Sequence, residues 1–142
     1  MFEVFEHTAD IGLRVRAATL EELLEDAARG LFSLLVANLD AVRPVEEVRI
    51  EVSGDEREFL LFDWLNELLY AFATQGRLYA DFQVQIVYSE AGEPQALIAL
   101  ARGEPIDRDR HQLDHEVKAI TYHGLRCEPT ATGWLAEIIL DI

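Results

Sequence analysis

Lysine and cysteine are nearly absent from this sequence. Lys118 is the only lysine, and the other basic residues among the 12 are all arginines. Cys127 is the only cysteine, which excludes an internal disulfide and a metal site built from several thiolates. Nothing in its sequence context indicates an activated nucleophile, so we interpret Cys127 as a small apolar residue of a strand.

Positive charge is scarce as well. The 12 basic residues face 27 acidic ones, which gives a formal net charge of −15. Affinity for nucleic acid comes mainly from phosphates that are neutralised by Lys and Arg, so strong direct binding to RNA or DNA is not expected. A basic protein partner or a bound cation is favoured instead.

Signals for export or membrane insertion are also missing. The N-terminus has no basic region followed by an apolar core, so no signal peptide is predicted. No apolar run approaches the roughly 20 residues that are needed to span a bilayer. We therefore expect a soluble, cytoplasmic protein without a membrane partner.

Hydrophobic periodicity predicts an α+β fold. Thr19 and Glu22 form a capping box, and the apolar stripe that follows predicts a helix to Leu35, with Gly30 allowing close packing against a sheet. A second apolar stripe predicts a helix over 56–74 that stops at Gln75-Gly76. Alternation predicts strands over 2–6, 11–17, 45–53, 78–88, 95–102 and 117–122, and a last hairpin over 124–140. We expect a single domain, residues 1–142, in which two amphipathic helices cover one face of a mostly antiparallel sheet.

Lys118 lies in one of these predicted strands. Val117, Ala119 and Thr121 fall on one side of it, and Lys118, Ile120 and Tyr122 fall on the other. The strand follows a long polar loop over 103–111, and loops of this length often carry function. Lys118 is therefore either a solvated strand residue, as most strand lysines are, or an ammonium group placed for a purpose.

Two aspartates are candidate metal ligands. Asp141 is the residue before Ile142, so its side chain lies beside the main-chain carboxylate of Ile142. Asp10 follows a polar turn at the end of a strand and is a plausible third oxygen donor. Such a set would suit a hard cation such as Ca²⁺ or Mg²⁺. The alternative is that Asp10 caps a turn and that the last residues fray.

Four stretches of the chain together resemble the archease family. They are His7-Thr8-Ala9-Asp10-Ile11-Gly12, then Asp63-Trp64-Leu65-Asn66-Glu67-Leu68-Leu69-Tyr70, then Gly103-Glu104-Pro105 with His111 and the run from Val117 to His123, and finally Asp141-Ile142. They occur in the same order as in that family and span most of the chain. The set is far more specific than any one of its members.

The resemblance implies a function and a set of functional residues. Archeases activate the RtcB-type tRNA-splicing RNA ligase by promoting guanylylation of its active-site histidine, which allows multiple turnovers. The resemblance implies a divalent metal site at Asp10, Asp141 and the Ile142 carboxylate, with Ca²⁺ expected and Mg²⁺ or Mn²⁺ as alternatives. It also implies a functional role for Lys118. The protein would then be an activator in tRNA splicing or RNA repair, and not itself an enzyme.

Two other functions are compatible with the residues. The first is a chaperone-like binding module that modulates the assembly of a partner, which predicts an exposed apolar patch. The second is a metal-dependent hydrolase built on the same aspartates. The sequence shows no general base for it, and no phosphate-binding loop, zinc motif or nucleophile elbow is present.

Overall fold

The computed structural model of the chain describes residues 1–7 and 9–142. In these ranges the helices are α1 (Leu20–Leu35) and α2 (Arg57–Gln75), and a short 3-10 turn spans Leu39–Ala41. The strands are β1 (Phe2–His7), β2 (Asp10–Ala17), β3 (Glu46–Ser53), β4 (Arg77–Tyr88), β5 (Pro94–Pro105), β6 (Ala119–Ile120), β7 (Arg126–Thr130) and β8 (Gly133–Asp141). The predicted α+β class is confirmed.

The strands form two antiparallel sheets. In the first sheet β1 pairs with β2 and β2 with β8, while β6 and β7 both pair with the far edge of β8. The second sheet has the order β3-β5-β4. Each helix contacts strands of both sheets, so the apolar faces of all these elements meet in one core. The division into two sheets is not visible in the alternation of the sequence, which only shows which residues of a strand face inward.

Helix α1 is capped and packed as its sequence predicts. Thr19 Oγ1 accepts a hydrogen bond from the backbone N–H of Glu22 at 3.1 Å. At Gly30 the helix comes so close to β2 that an added Cβ would lie 2.6 Å from Leu13 Cδ1. The prediction that Gly30 allows close packing against a sheet is confirmed.

Helix α2 has apolar residues on two sides. Its inner side is buried, and Trp64 Nε1 donates a hydrogen bond to the backbone oxygen of Leu24 in α1 at 2.9 Å. The helix ends at Gly76, which adopts a left-handed φ of 63°, where the sequence predicts the stop. Its outer side exposes Phe59 and Tyr70. Within the described ranges, neither helix combines the length and the apolar character that crossing a membrane would require.

The strand that was predicted around Lys118 is shorter than expected. Only Ala119 and Ile120 form β6, against a prediction of 117–122. The reason is competition for one strand edge: β7 occupies the part of β8 from Gly133 to Glu137, which leaves only its last residues for β6. Lys118 nevertheless continues the ladder, because its backbone N–H donates to the oxygen of Asp141 at 2.7 Å.

Candidate functional site

Asp10 and Asp141 lie directly opposite each other at one end of the first sheet. Asp10 is the first residue of β2, Asp141 is the last residue of β8, and the two are register partners. Partners of this kind project from the same face of a sheet, with Cβ atoms about 5 Å apart. Asp10 is half-buried and Asp141 is exposed. Antiparallel pairing thus brings together two carboxylates from opposite ends of the sequence.

These carboxylates project from the outer face of the sheet. The neighbouring pair, Ile11 and Leu140, faces the core. Side chains alternate along a strand, so Asp10 and Asp141 face away from that core. Like charges directly opposite each other destabilise a sheet, and a cation between them would convert that repulsion into attraction.

Ile142 and Asp10 line the same cleft. The cleft also includes Val4, Phe5 and His115. His115 is 41% exposed at its side chain, and its backbone N–H donates to the oxygen of Leu34. Sequence reasoning did not connect His115 with the aspartates, and no local signal could have done so, because the fold alone brings this loop to the end of β2.

The predicted set of donors is of the type that suits a hard cation. Asp10 and Asp141 supply carboxylate oxygens, and the remaining oxygen donor of the predicted set is the main-chain carboxylate of Ile142, which belongs to no side chain. Oxygen ligands of this type are those that Ca²⁺, Mg²⁺ and Mn²⁺ prefer. Within the described residues, no three His, Cys, Asp or Glu side chains come together as metal ligands. Thr8 and the side chain of His7, which belong to the same motif as Asp10, lie outside the described residues.

Lys118 is adjacent to Asp141 through its backbone, but its side chain belongs to a different surface. Ala119 is the register partner of Asp141, so Ala119 and not Lys118 shares the face of the carboxylates. The Lys118 side chain lines a groove beside α2, with Glu67 and Tyr70 on the helix. The ammonium group is exposed, and among the described residues it forms no hydrogen bond or ion pair. It is therefore available to a partner.

A buried carboxylate holds the loop that leads to Lys118. Glu104, at the end of β5, is almost fully buried and accepts hydrogen bonds from the backbone N–H of Arg43 at 2.7 Å and from the guanidinium of Arg110. The backbone N–H of Asp107 donates to His111 Nδ1 at 2.9 Å, so the proton of this imidazole is on Nε2, which donates to Glu104 at 2.9 Å. Burial alone would raise the pKa of Glu104, but these hydrogen bonds outweigh it and lower the pKa to about 2.

The loop continues from His111 along the end of α1. The backbone N–H of Ala37 donates to Gln112 at 2.7 Å, and the N–H of Asp114 donates to Leu35 at 2.9 Å. The bonds to Glu104 anchor one end of this loop, and the bond from Lys118 to Asp141 anchors the other. Sequence reasoning included Glu104 and His111 only as motif residues, because the contact between them depends on the fold of the loop.

Cys127 is not part of the site. It is only 1% exposed, and burial is the main cause that raises the pKa of its thiol to about 12. It lies in β7 opposite Ala136. The interpretation of Cys127 as a small apolar strand residue is confirmed.

Known proteins share both the sequence and the fold of this chain. The Archease protein family matches residues 2–142. Protein archease of Methanopyrus kandleri is 45% identical over 141 residues, which cover 99% of both chains. Protein archease of Pyrococcus abyssi is 41% identical over 142 residues, which cover 99% of this chain and 98% of the relative.

A solved structure agrees with these sequence matches. It is the solution structure of protein 1598 of Methanobacterium thermoautotrophicum, which superimposes with a TM-score of 0.78 at 32% identity. The match covers 99% of this chain and 98% of the other. Family and fold are therefore shared over the whole length compared.

Proposed function

Because the chain belongs to the archease family, we propose that it is a protein cofactor that activates an RtcB-type RNA ligase. It promotes guanylylation of the ligase's active-site histidine and thereby supports multiple turnovers, in tRNA splicing or RNA repair in the cytoplasm. On this proposal the chain is an activator and the ligase is the enzyme.

One observation carries the proposal. Asp10 and Asp141 are register partners, and the backbone N–H of Lys118 is hydrogen-bonded to Asp141. These three residues are the ones to which the archease resemblance assigns a function. Their backbones meet at one end of a sheet, although most of the sequence separates Asp10 from the other two. Contact with one common partner would explain that convergence.

Asp10, Asp141 and the Ile142 carboxylate would hold a divalent cation, Ca²⁺ being expected and Mg²⁺ or Mn²⁺ being alternatives. When bound there, the cation would supply positive charge close to phosphate oxygens of GTP in the ligase. The chain itself would fix the carboxylates of Asp10 and Asp141 on adjacent strands. These two side chains would then need little further ordering when the partner binds.

Lys118 supplies a second positive charge on the neighbouring surface, in the groove beside α2. Its ammonium group is exposed and makes no ion pair with the described residues. A compact ammonium is a common phosphate-binding group, and it also pairs with carboxylates. We assign Lys118 to a phosphate of GTP or to an acidic side chain of the ligase.

A guanylylation assay tests the proposal. The ligase is incubated with excess radiolabelled GTP and a catalytic amount of this protein, and both covalent guanylylate and sealed RNA are measured. Wild type is expected to give multiple turnovers. Asp141→Ala and Lys118→Ala are each expected to lower stimulation by about 100-fold, because an electrostatic contact to the reacting group is lost. Both residues are exposed, so the fold should be retained.

Glu90→Ala is a matched control. It removes one exposed negative charge from the turn between β4 and β5, far along the chain from the site. Calorimetric titration with CaCl₂ provides a second measurement, in which wild type and Glu90→Ala bind and Asp141→Ala does not. Full stimulation by Asp141→Ala would contradict the role of the carboxylates, and full stimulation by Lys118→Ala would contradict that of the ammonium.

The exposed aromatic side chains on α2 favour one alternative, a chaperone-like binding module that modulates assembly of its partner. Such a module would keep the ligase soluble or assembled and would not assist guanylylation. It predicts that Asp141→Ala and Lys118→Ala have the same effect on the ligase as wild type. It also predicts that this protein changes the light scattering of the ligase, which reports its solubility and assembly, before it changes ligase turnover.

A further inference from the structure

The outer side of α2 exposes a cluster of aromatic rings. Phe62 and Tyr122 are stacked, with ring centroids 3.9 Å apart and an angle of 13° between their planes. Phe59 meets Tyr122 edge to face at 5.7 Å. Phe59 is 42% exposed and Tyr122 is 55% exposed. The rings thus pack against one another on the surface; Phe59 and Tyr122 are open to solvent, and Phe62 is partly buried against the core.

The outer side of α2 extends from this aromatic cluster to the groove that contains Lys118. Phe59, Phe62, Asn66, Tyr70 and Ala73 recur at intervals of three and four positions, so they share one face of α2. Tyr70, which is 61% exposed, lines the groove that contains Lys118. We call Phe59, Phe62, Tyr70 and Tyr122 the aromatic strip. From Phe59 to Tyr70 it extends about 17 Å along the helix.

The charges beside the strip identify the kind of partner that fits it. Glu58, Asp63 and Glu67 lie on α2 next to the strip residues, and the chain as a whole carries a net charge of −15. A second copy of this chain would bring like charges together, which disfavours self-association through the strip. A basic protein surface with an apolar projection is complementary in both charge and polarity.

We propose that the aromatic strip is the docking surface for the RNA ligase, which it binds through a basic surface bearing an apolar side chain. This inference rests on the proposed function, since it takes the ligase as the partner. Aromatic residues dominate binding energy at protein interfaces, and acidic side chains around them add specificity. Docking at the strip places the ammonium of Lys118 inside the interface, because Tyr70 and Lys118 line one groove.

Two truncations test the strip directly. Phe59→Ala and Tyr70→Ala remove exposed rings, so the unfolding temperature is expected to stay close to that of wild type. Each is expected to raise the Kd for the ligase at least about 10-fold, as measured by surface plasmon resonance with immobilised ligase. At saturating concentration Phe59→Ala should still support guanylylation, because Phe59 lies outside the groove that contains Lys118.

Tyr88→Ala is the matched control. Tyr88 is 47% exposed and lies at the end of β4, outside the strip. Lys118→Ala completes the set, since it is expected to lower the maximal rate even at saturating concentration. A Kd for Phe59→Ala and Tyr70→Ala equal to that of Tyr88→Ala would overturn the docking surface while leaving the activation proposal standing.

Two further outcomes are informative. If wild type neither binds nor stimulates the ligase, the proposed function fails and the docking surface fails with it. The remaining possibility is that the aromatic strip pairs with a second copy of this chain, and sedimentation of the isolated protein tests it. A wild-type dimer that Phe59→Ala converts into a monomer would show such pairing. It would overturn the ligase as the partner that binds the strip.

Discussion

Glu104 is a buried carboxylate whose charge is compensated from three directions. An amide, a guanidinium and an imidazole all donate to it. A carboxylate with so many donors is stable in its ionised form even where water is excluded. Its function is structural: it holds the start of the loop whose end carries Lys118, without contact to the candidate site itself.

Replacing Glu104 by glutamine should destabilise the protein at neutral pH. The amide keeps the shape but loses the charge, and a broken buried ion pair costs on the order of 3 kcal/mol. The pKa of Glu104 is lowered from 4.5 to about 2, so its ionised form stabilises the folded state above pH 4.5 and this contribution is lost as the pH falls towards 2. Urea unfolding of both proteins across this range measures the difference. We expect it to shrink on acidification; a constant difference would contradict the assignment.

At the scale of elements, the second sheet depends on a close approach at Gly103. This residue of β5 lies opposite Tyr79, next to an irregularity in β4 between Tyr79 and Asp81. A Cβ at Gly103 would lie 1.8 Å from the backbone oxygen of Leu78. Backbone atoms cannot move aside as the end of a side chain can, so only glycine fits there.

Gly103→Ala should therefore disrupt the pairing of β4 with β5. We expect the free energy of unfolding to fall by about 3 kcal/mol, the upper part of the range for overpacked positions. Gly54→Ala is the control, because its new Cβ would meet nothing nearer than Leu60 Cδ2 at 3.8 Å. Chemical denaturation of the two variants gives the comparison, and equal stabilities would contradict the proposed steric conflict.

The elements also show which parts of the fold are predictable. Helix α1 follows from local features: the cap at Thr19 and the apolar stripe lie within a few residues of what they determine. The length of β6 does not follow from local features, because it depends on β7 competing for the same edge of β8. Alternation predicts the inward residues of a strand but not its partner, so the division into two sheets could not be derived.

At the scale of the whole molecule, the net charge of −15 dominates the long-range electrostatic interactions of the protein. An acidic protein approaching a basic partner is attracted over a distance set by the ionic strength. The Debye length falls from about 30 Å at 0.01 M to about 8 Å at 0.15 M salt. If the ligase is the partner, as proposed, its association with this protein should consequently depend on salt.

We expect the association rate to fall about 10-fold over that range of salt, while the dissociation rate changes less. Stopped-flow measurement with a fluorescently labelled ligase would record both rates. Tyr70→Ala should keep the same salt dependence and differ from wild type in its dissociation rate. A salt-independent association rate would contradict long-range electrostatic attraction.

The candidate site was predictable only in part at this scale. The resemblance to family motifs made Asp10, Asp141 and Lys118 candidates, and composition singled out Lys118. Neither could show that Asp10 and Asp141 are register partners, since that follows from the pairing of β2 with β8. The pairing of β6 with β8, in which Ala119 lies opposite Asp141, places Lys118 on a different side from the carboxylates, which a list of candidate residues does not reveal.

The central position of β8 has a consequence for how the protein is made. β8 pairs with β2, and Arg14 and Glu137, which are bonded across this pair, are 123 positions apart. During synthesis β3, β4 and β5 can assemble the second sheet early, whereas β2 must wait for β8 before the first sheet can close. Pairing over such separations is slow. We therefore expect Asp10 and Asp141 to meet late in folding, so that a chain that has not completed this step would present no assembled candidate site to a partner.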